Sequence, residues 1–178
     1  AYDIAGVLPN VTIHYNDKPI EMNSFTDYAK LYFEKGQEYV SQTCGNSEFV
    51  ITNSIDDKFK DVSFVNGVHT KNGGKHIDHL LKQIIDNMQK AIKKKYKKAK
   101  IRDSFIKDKI AIFLNAEIEN PVFSSQTKDA LSSKVSDKFC LIKGSTMKNI
   151  IDKLDLTTEI ISLIKAKQLS ELEKNETK

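Results

Sequence analysis

Lys109 to Ile118, KIAIFLNAEI, is the stretch that decides the fold. Its apolar residues run without interruption from Ile110 to Leu114, which suits a strand covered on both faces and so a central one. Pro121 ends it, and Phe123-Ser124-Ser125-Gln126-Thr127-Lys128 follows as an exposed loop. Upstream, the spacing changes. Ile77, Leu80, Leu81, Ile84, Ile85, Met88 and Ile92 recur at steps of three and four, the pattern of an amphipathic helix. A strand preceded by a long helix with one apolar face is the signature of a sheet that carries helices.

Further out, Glu48 to Ile55 and Val62 to His69 read as strands joined by Asp56-Asp57-Lys58. Val11-Thr12-Ile13-His14-Tyr15, Asn16-Asp17 and Lys18-Pro19-Ile20 read as a hairpin. Ser24 is placed to cap a short helix through Phe33. Ala1 to Ala5 fit the last turn of a helix ended by Gly6, and a helix that begins before Ala1 would make the chain an excised piece. After Gly144, Ser145 is read as the cap of a helix with Met147, Ile150, Ile151 and Leu154. A break near Asp155 precedes a last long helix whose end, Glu171 to Lys178, is almost wholly charged. The expected class is therefore α/β (α+β): a two-layer domain, mixed sheet with helices on one face, plus a long C-terminal helix.

The chain has 178 residues, 39% hydrophobic and 29% charged, which suits one domain with its own core. No apolar run is long enough to span a membrane. The opening residues carry no leading cation, so no signal peptide is expected. Cys44 and Cys140 are too far apart in sequence for a disulfide scaffold and read as free thiols in a reducing compartment. The net charge of +4 is uneven. Asn87 to Arg102 holds seven lysines, one arginine and no acidic residue; without those eight, 20 basic residues face 24 acidic ones, a net −4. The run Lys90 to Lys100 could attract a polyanion by counterion release. It could equally be a solvated helix end, where the helix dipole favours cations.

Other constellations are weaker. GVHTKNGGKH, Gly67 to His76, has glycines near a lysine, but the Walker pattern fails: position 69 is His69 and the residue after Lys75 is His76. It reads as a strand-to-helix turn. His69, His76 and His79, with Asp78 nearby, lack a further ligand pair, so capping or packing is expected of them rather than a metal. No serine nucleophile elbow, Cys/His pair or distinguishable carboxylate pair is present in sequence.

Four segments in order carry a resemblance: Ser63-Phe64-Val65-Asn66-Gly67, Thr70-Lys71-Asn72-Gly73-Gly74-Lys75-His76, Phe113-Leu114-Asn115-Ala116-Glu117-Ile118-Glu119-Asn120-Pro121, and Ser125-Gln126-Thr127-Lys128. The series resembles the transducer domain of type IIA DNA topoisomerases of the eukaryotic and large-DNA-virus kind, over nearly the whole chain. The resemblance implies a GHMP-kinase-like fold and a single transducer domain over 1–178. Residues 1–6 would end the junction from an ATPase domain, and 146–178 would lead toward a DNA-cleavage core. It implies that Lys128 contacts the γ-phosphate of ATP in the neighbouring ATPase site, with Gln126 and Thr127 beside it. It also places a lysine-rich loop, with Lys93, Lys94, Lys95, Lys97, Lys98 and Lys100, toward double-stranded DNA. The parent would be an ATP-hydrolysing, Mg2+-dependent isomerase and a homodimer. It would work in the nucleus if cellular, or at a cytoplasmic replication site or in a virion if viral. This chain alone, lacking the rest of the ATP site, the acidic cleavage cluster and a DNA-attacking tyrosine, would bind no Mg2+ and would be inactive. The competing expectation is a stand-alone basic nucleic-acid-binding module; a third is an interaction domain docked through its last helix.

Overall fold

The structure, a computed structural model, describes residues 1–97 and 101–176, with side chains through residue 166 of the last helix. Helix α1 (Tyr2–Val7) leads into a hairpin of β1 (His14–Tyr15) and β2 (Lys18–Pro19). Asn16 and Asp17 turn it with φ of 51° and 61°, the left-handed pair that a tight hairpin requires. Helix α2 (Phe25–Lys30) begins where Ser24 Oγ accepts the Asp27 amide at 3.1 Å, and it ends before Phe33. Then follow β3 (Tyr39–Cys44), β4 (Ser47–Asn53), β5 (Lys60–Val65), β6 (Val68–His69), α3 (Lys75–Lys95), α4 (Asp103–Lys107), β7 (Ile110–Ala116), α5 (Gly144–Lys153) and α6 (Leu156–Glu176).

The main sheet has the order β3-β4-β7-β5-β6. It is mixed: β5 pairs parallel to β7 and the other pairs are antiparallel. β7 is central, as its apolar run predicts. Ile110, Ile112, Leu114 and Ala116 face one core, in which Ile77, Leu80, Ile84, Met88 and Ile92 of α3 meet residues of α4, α5 and α6. Ala111 and Phe113 face a second core with Ala5, Phe25, Tyr28, Val50 and Phe64. Helices α3 to α6 thus lie on one face as expected, while α1 and α2 cover part of the other. Phe25 and Tyr28 of α2 stack on each other and meet Phe64 on the back of the sheet, while Tyr32 and Phe33, just beyond the helix, meet Phe113.

Several local expectations are corrected. Val62 to His69 is not one strand; it folds at Asn66-Gly67 into β5 and β6. β3 and α4 are elements the periodicity did not disclose. Gly6 does not end α1 but lies within it, where a Cβ would stand 2.6 Å from the Tyr28 ring. Glycine is there for close packing, and the Tyr28 hydroxyl fastens the same contact by donating to Asp3 Oδ1 at 2.8 Å. Ser145 is inside α5; the cap position is Lys143, without a side-chain capping bond. The break at Asp155 is real, with φ of 46°.

Buried Lys109, just before β7, pairs with Asp57 and Glu159, tying the β4–β5 loop to α6. Burial opposes its charge, but the two carboxylates outweigh that and hold the ammonium's pKa above the ordinary value. Cys44 and Cys140 are both free. The fold brings them into one core, where burial and then the neighbouring Cys44 thiol push the Cys140 pKa up. No described helix is long and apolar enough to cross a membrane.

Candidate functional site

The segment after β7 is held to the neighbouring β5–β6 turn by one side chain. Asn66 Oδ1 accepts the Ile118 amide and its Nδ2 donates to the Ile118 carbonyl, both at 2.9 Å. From there the chain forms a loop closed at its base. The amides of Ser132 and Ser133 donate to the Val122 carbonyl at 2.9 and 3.1 Å, and the Ser124 amide donates to the Ala130 carbonyl at 3.0 Å. At the tip, the Lys128 amide donates to the Ser125 carbonyl at 3.1 Å, closing a turn. Thr127 Oγ1 donates to Asp129 and shares a 2.7 Å hydrogen bond with Ser125 Oγ. Gln126, Thr127 and Lys128 are all exposed.

Lys128 has a φ of 59°, a conformation that non-glycine residues adopt at a cost when their surroundings impose it. Its Nζ lies 5.7 Å from the centroid of the Phe123 ring. Among the described residues no carboxylate forms an ion pair with it. The loop therefore presents an ammonium held over an aromatic face, where cation–π attraction is about 0.5–1 kcal/mol and readily exchanged for an anion.

The loop base is also stitched to a second segment. The Asn72 amide donates to the Asp129 carbonyl at 2.8 Å, the Leu131 amide to the Gly73 carbonyl at 3.1 Å, and the Lys75 amide to the Leu131 carbonyl at 3.0 Å. The glycine-rich stretch is thus a strand-to-helix turn, as read, and it also supports the loop. Beneath it, Thr70 Oγ1 donates to the Ser63 carbonyl at 2.9 Å and lies 3.2 Å from His76 Nε2. The Thr70 hydroxyl also shares a 2.6 Å hydrogen bond with Ser63 Oγ, and on the far side of the ring buried His76 Nδ1 has no hydrogen-bond partner among the described residues. Burial depresses the His76 pKa from 6.5 to about 4, against a weaker opposing pull from Asp78.

The three histidines do not converge. His69 stacks on Phe64 at 4.9 Å, His79 meets the edge of Phe139 at 6.0 Å, and His76 is committed to Thr70. Among the described residues no three His, Cys, Asp or Glu side chains are grouped to hold a metal.

The basic segment lies elsewhere. Lys93, Lys94 and Lys95 form the exposed last turn of α3, and Lys97 follows, also exposed. Lys98 and Lys100 lie outside the described residues. The sequence reading missed Lys165, whose Nζ stands 5.8 Å from the Tyr96 ring, so α6 adds a cation beside the run. A cleft of about 840 Å³ opens between the end of α1, the β3–β4 turn and residues 138–141; neither Lys128 nor the lysine run lines it.

Fold and loop together define a mixed α/β domain that displays a cation outward on a braced loop. The family model described as DNA gyrase B matches residues 14–178, and the chain belongs to that family. A probable DNA topoisomerase 2 of Dictyostelium discoideum is 35% identical over 98% of this chain, which spans 12% of that protein. The ATPase region of Saccharomyces cerevisiae topoisomerase II superposes with a TM-score of 0.80 at 30% identity, covering 92% of this chain and 43% of the other. The ATPase and transducer domains of DNA topoisomerase II from Balamuthia mandrillaris share the fold with a TM-score of 0.87 at 24% identity, covering 94% and 43% of the two chains.

Proposed function

We propose that this chain is the transducer segment of an ATP-dependent type II DNA topoisomerase, with Lys128 completing the ATP site of an adjacent ATPase domain. The observation that carries this reading is the exposed Lys128 ammonium, without a carboxylate partner among the described residues, on a loop whose base is hydrogen-bonded shut. Phosphoryl transfer is governed by positioning and charge stabilisation, so a point cation brought to the γ-phosphate lowers the barrier. The described residues fit that single contact and not the whole nucleotide, whose Mg2+ and base would be held by the neighbouring domain. When hydrolysis removes the phosphate, the lysine loses its partner and the domain is released to rotate as a rigid body, a movement biased by ligand. Such coupling belongs to a homodimeric parent acting on double-stranded DNA in the nucleus or, for a virus, at its replication site.

The test is a structure of the full-length protein with a non-hydrolysable ATP analogue. The Lys128 ammonium is expected within ion-pair distance of the γ-phosphate; an ammonium left in bulk water there would overturn the assignment.

Lys93, Lys94, Lys95 and Lys97, with Lys98 and Lys100, are proposed to bind DNA phosphates. The position of Lys93, Lys94 and Lys95 at the exposed end of α3, with exposed Lys97 just after it, supports this. Replacing Lys93, Lys94, Lys95 and Lys97 by glutamine should flatten the salt dependence of DNA binding by roughly 0.9 for each phosphate no longer neutralised, so by about 3 to 4 in slope. An unchanged slope would leave these lysines as a solvated tip.

A further inference from the structure

We infer that Gly74 is a positioning residue for Lys128: the Asn72–Lys75 backbone is the seat that sets where the Lys128 loop stands. This rests on the function proposed above. The seat is made of the three backbone hydrogen bonds between residues 72–75 and 129–131, and Asp129, the first residue they hold, follows Lys128 directly. Gly74 bridges Leu131 in parallel register. A Cβ at Gly74 would lie 2.4 Å from the Leu131 carbonyl oxygen, 2.5 Å from its nitrogen and 2.9 Å from its Cα. All three are backbone atoms, so no side chain can swing aside, and the Gly74 φ of 132° is itself one that side chains resist. Ordinary contact begins near 3.4 Å. An alanine therefore has to drive the loop base away by about 1 Å, and misplacement on that scale can cost ~10²-fold in rate.

The other side of the seat does not yield. The Thr70 amide donates to the Ser63 carbonyl at 2.8 Å, and its hydroxyl joins Ser63 of β5 to His76 in the first turn of α3. Ser63, Thr70 and His76 are all buried. The seat is thus fixed to the sheet and to α3, and the strain falls on Leu131, itself buried in the core, and through it on the exposed loop that ends there.

The experiment has two arms. In the full-length protein, Gly74→Ala should lower kcat for ATP hydrolysis about 10- to 100-fold while KM changes little. In a Lys128→Ala background the same substitution should then lower kcat less than about twofold, because residues acting as a unit are not additive. An undiminished further loss would overturn the inference. In the second arm, amide exchange of residues 124–132 in this chain should accelerate in Gly74→Ala while β7 amides stay protected. Thr70→Ala, which removes the hydroxyl and puts no methyl in its place 2.6 Å from Ser63 Oγ, should do the same more weakly, with Thr70→Ser restoring protection. If Gly74→Ala does not fold, Thr70→Ala carries both readouts. Unchanged exchange of 124–132 would refute the seat. If Lys128→Ala leaves turnover intact, the proposed function fails, and the exchange arm still decides the seat.

Discussion

Lys128→Ala in the full-length protein is expected to reduce kcat for ATP hydrolysis by about 10²–10³, the loss typical of one removed charge-stabilising donor. That corresponds to about 3–4 kcal/mol of transition-state stabilisation. Nucleotide affinity should fall far less, because one exposed ammonium adds little ground-state binding beyond what the neighbouring domain supplies. The folded chain should not notice the change: Lys128 makes no ion pair among the described residues, and its ammonium rests over the Phe123 ring. Thermal midpoints of the two forms should therefore agree, separating a catalytic loss from a folding defect. Lys128→Arg should recover part of the rate, since its charge is kept but its planar fork replaces a compact cation. Turnover unchanged in Lys128→Ala, measured under single-turnover conditions, would remove Lys128 from the mechanism.

The stability of this chain should fall steeply between pH 6.5 and about 4 because of His76. In the folded protein burial lowers its pKa to about 4, while the unfolded chain titrates near 6.5. Below pH 6.5 the unfolded state takes up a proton that the folded state refuses. The contribution of neutral, buried His76 is thus complete above 6.5 and is lost as pH drops toward 4. A shift of that size corresponds to about 3 kcal/mol. Asp61 works the other way: burial raises its pKa, so its protonation relieves a penalty. Denaturant midpoints measured from pH 7 to 4.5 should show the decline, and His76→Gln should be less stable at pH 7 but flatter with pH. An equally steep decline in that variant would assign the effect elsewhere. Because His76 braces Thr70 beneath the Lys128 loop, amide protection factors at 124–132, taken against the intrinsic exchange rate at each pH, should fall ahead of global unfolding as the pH falls.

The central strand and α3 were legible because burial leaves its period in the residues themselves. β7 is apolar without a break from Ile110 to Leu114, and the buried positions of α3 recur at three and four. β3 was not legible, because the middle one of its three inward positions, between Val40 and Cys44, is the polar Gln42. Its amide is satisfied across the fold by the Leu141 carbonyl and the Lys143 amide, both at 2.9 Å, so a polar residue occupies a core position without penalty. The β5–β6 hairpin reads as one strand because β-type residues continue on both sides of Asn66-Gly67, and only the turn's left-handed backbone separates them. The Gln126-Thr127-Lys128 loop was found by motif. Lys165 was not, since its place beside Tyr96 comes from the packing of α6 near the end of α3.

By itself the sequence determined what is local: the alternation of strands and helices, the cap at Ser24, the turn at Asn16-Asp17, the basic segment, and the ordered motifs that mark the family. The tertiary structure alone decided that Gly74 sits against Leu131, that α1 and α2 back the sheet, and that Lys109 ties α6 to the β4–β5 loop. The reason is physical. Periodicity and turn chemistry are written by neighbours along the chain, whereas these contacts join residues that only the whole core brings within reach of one another.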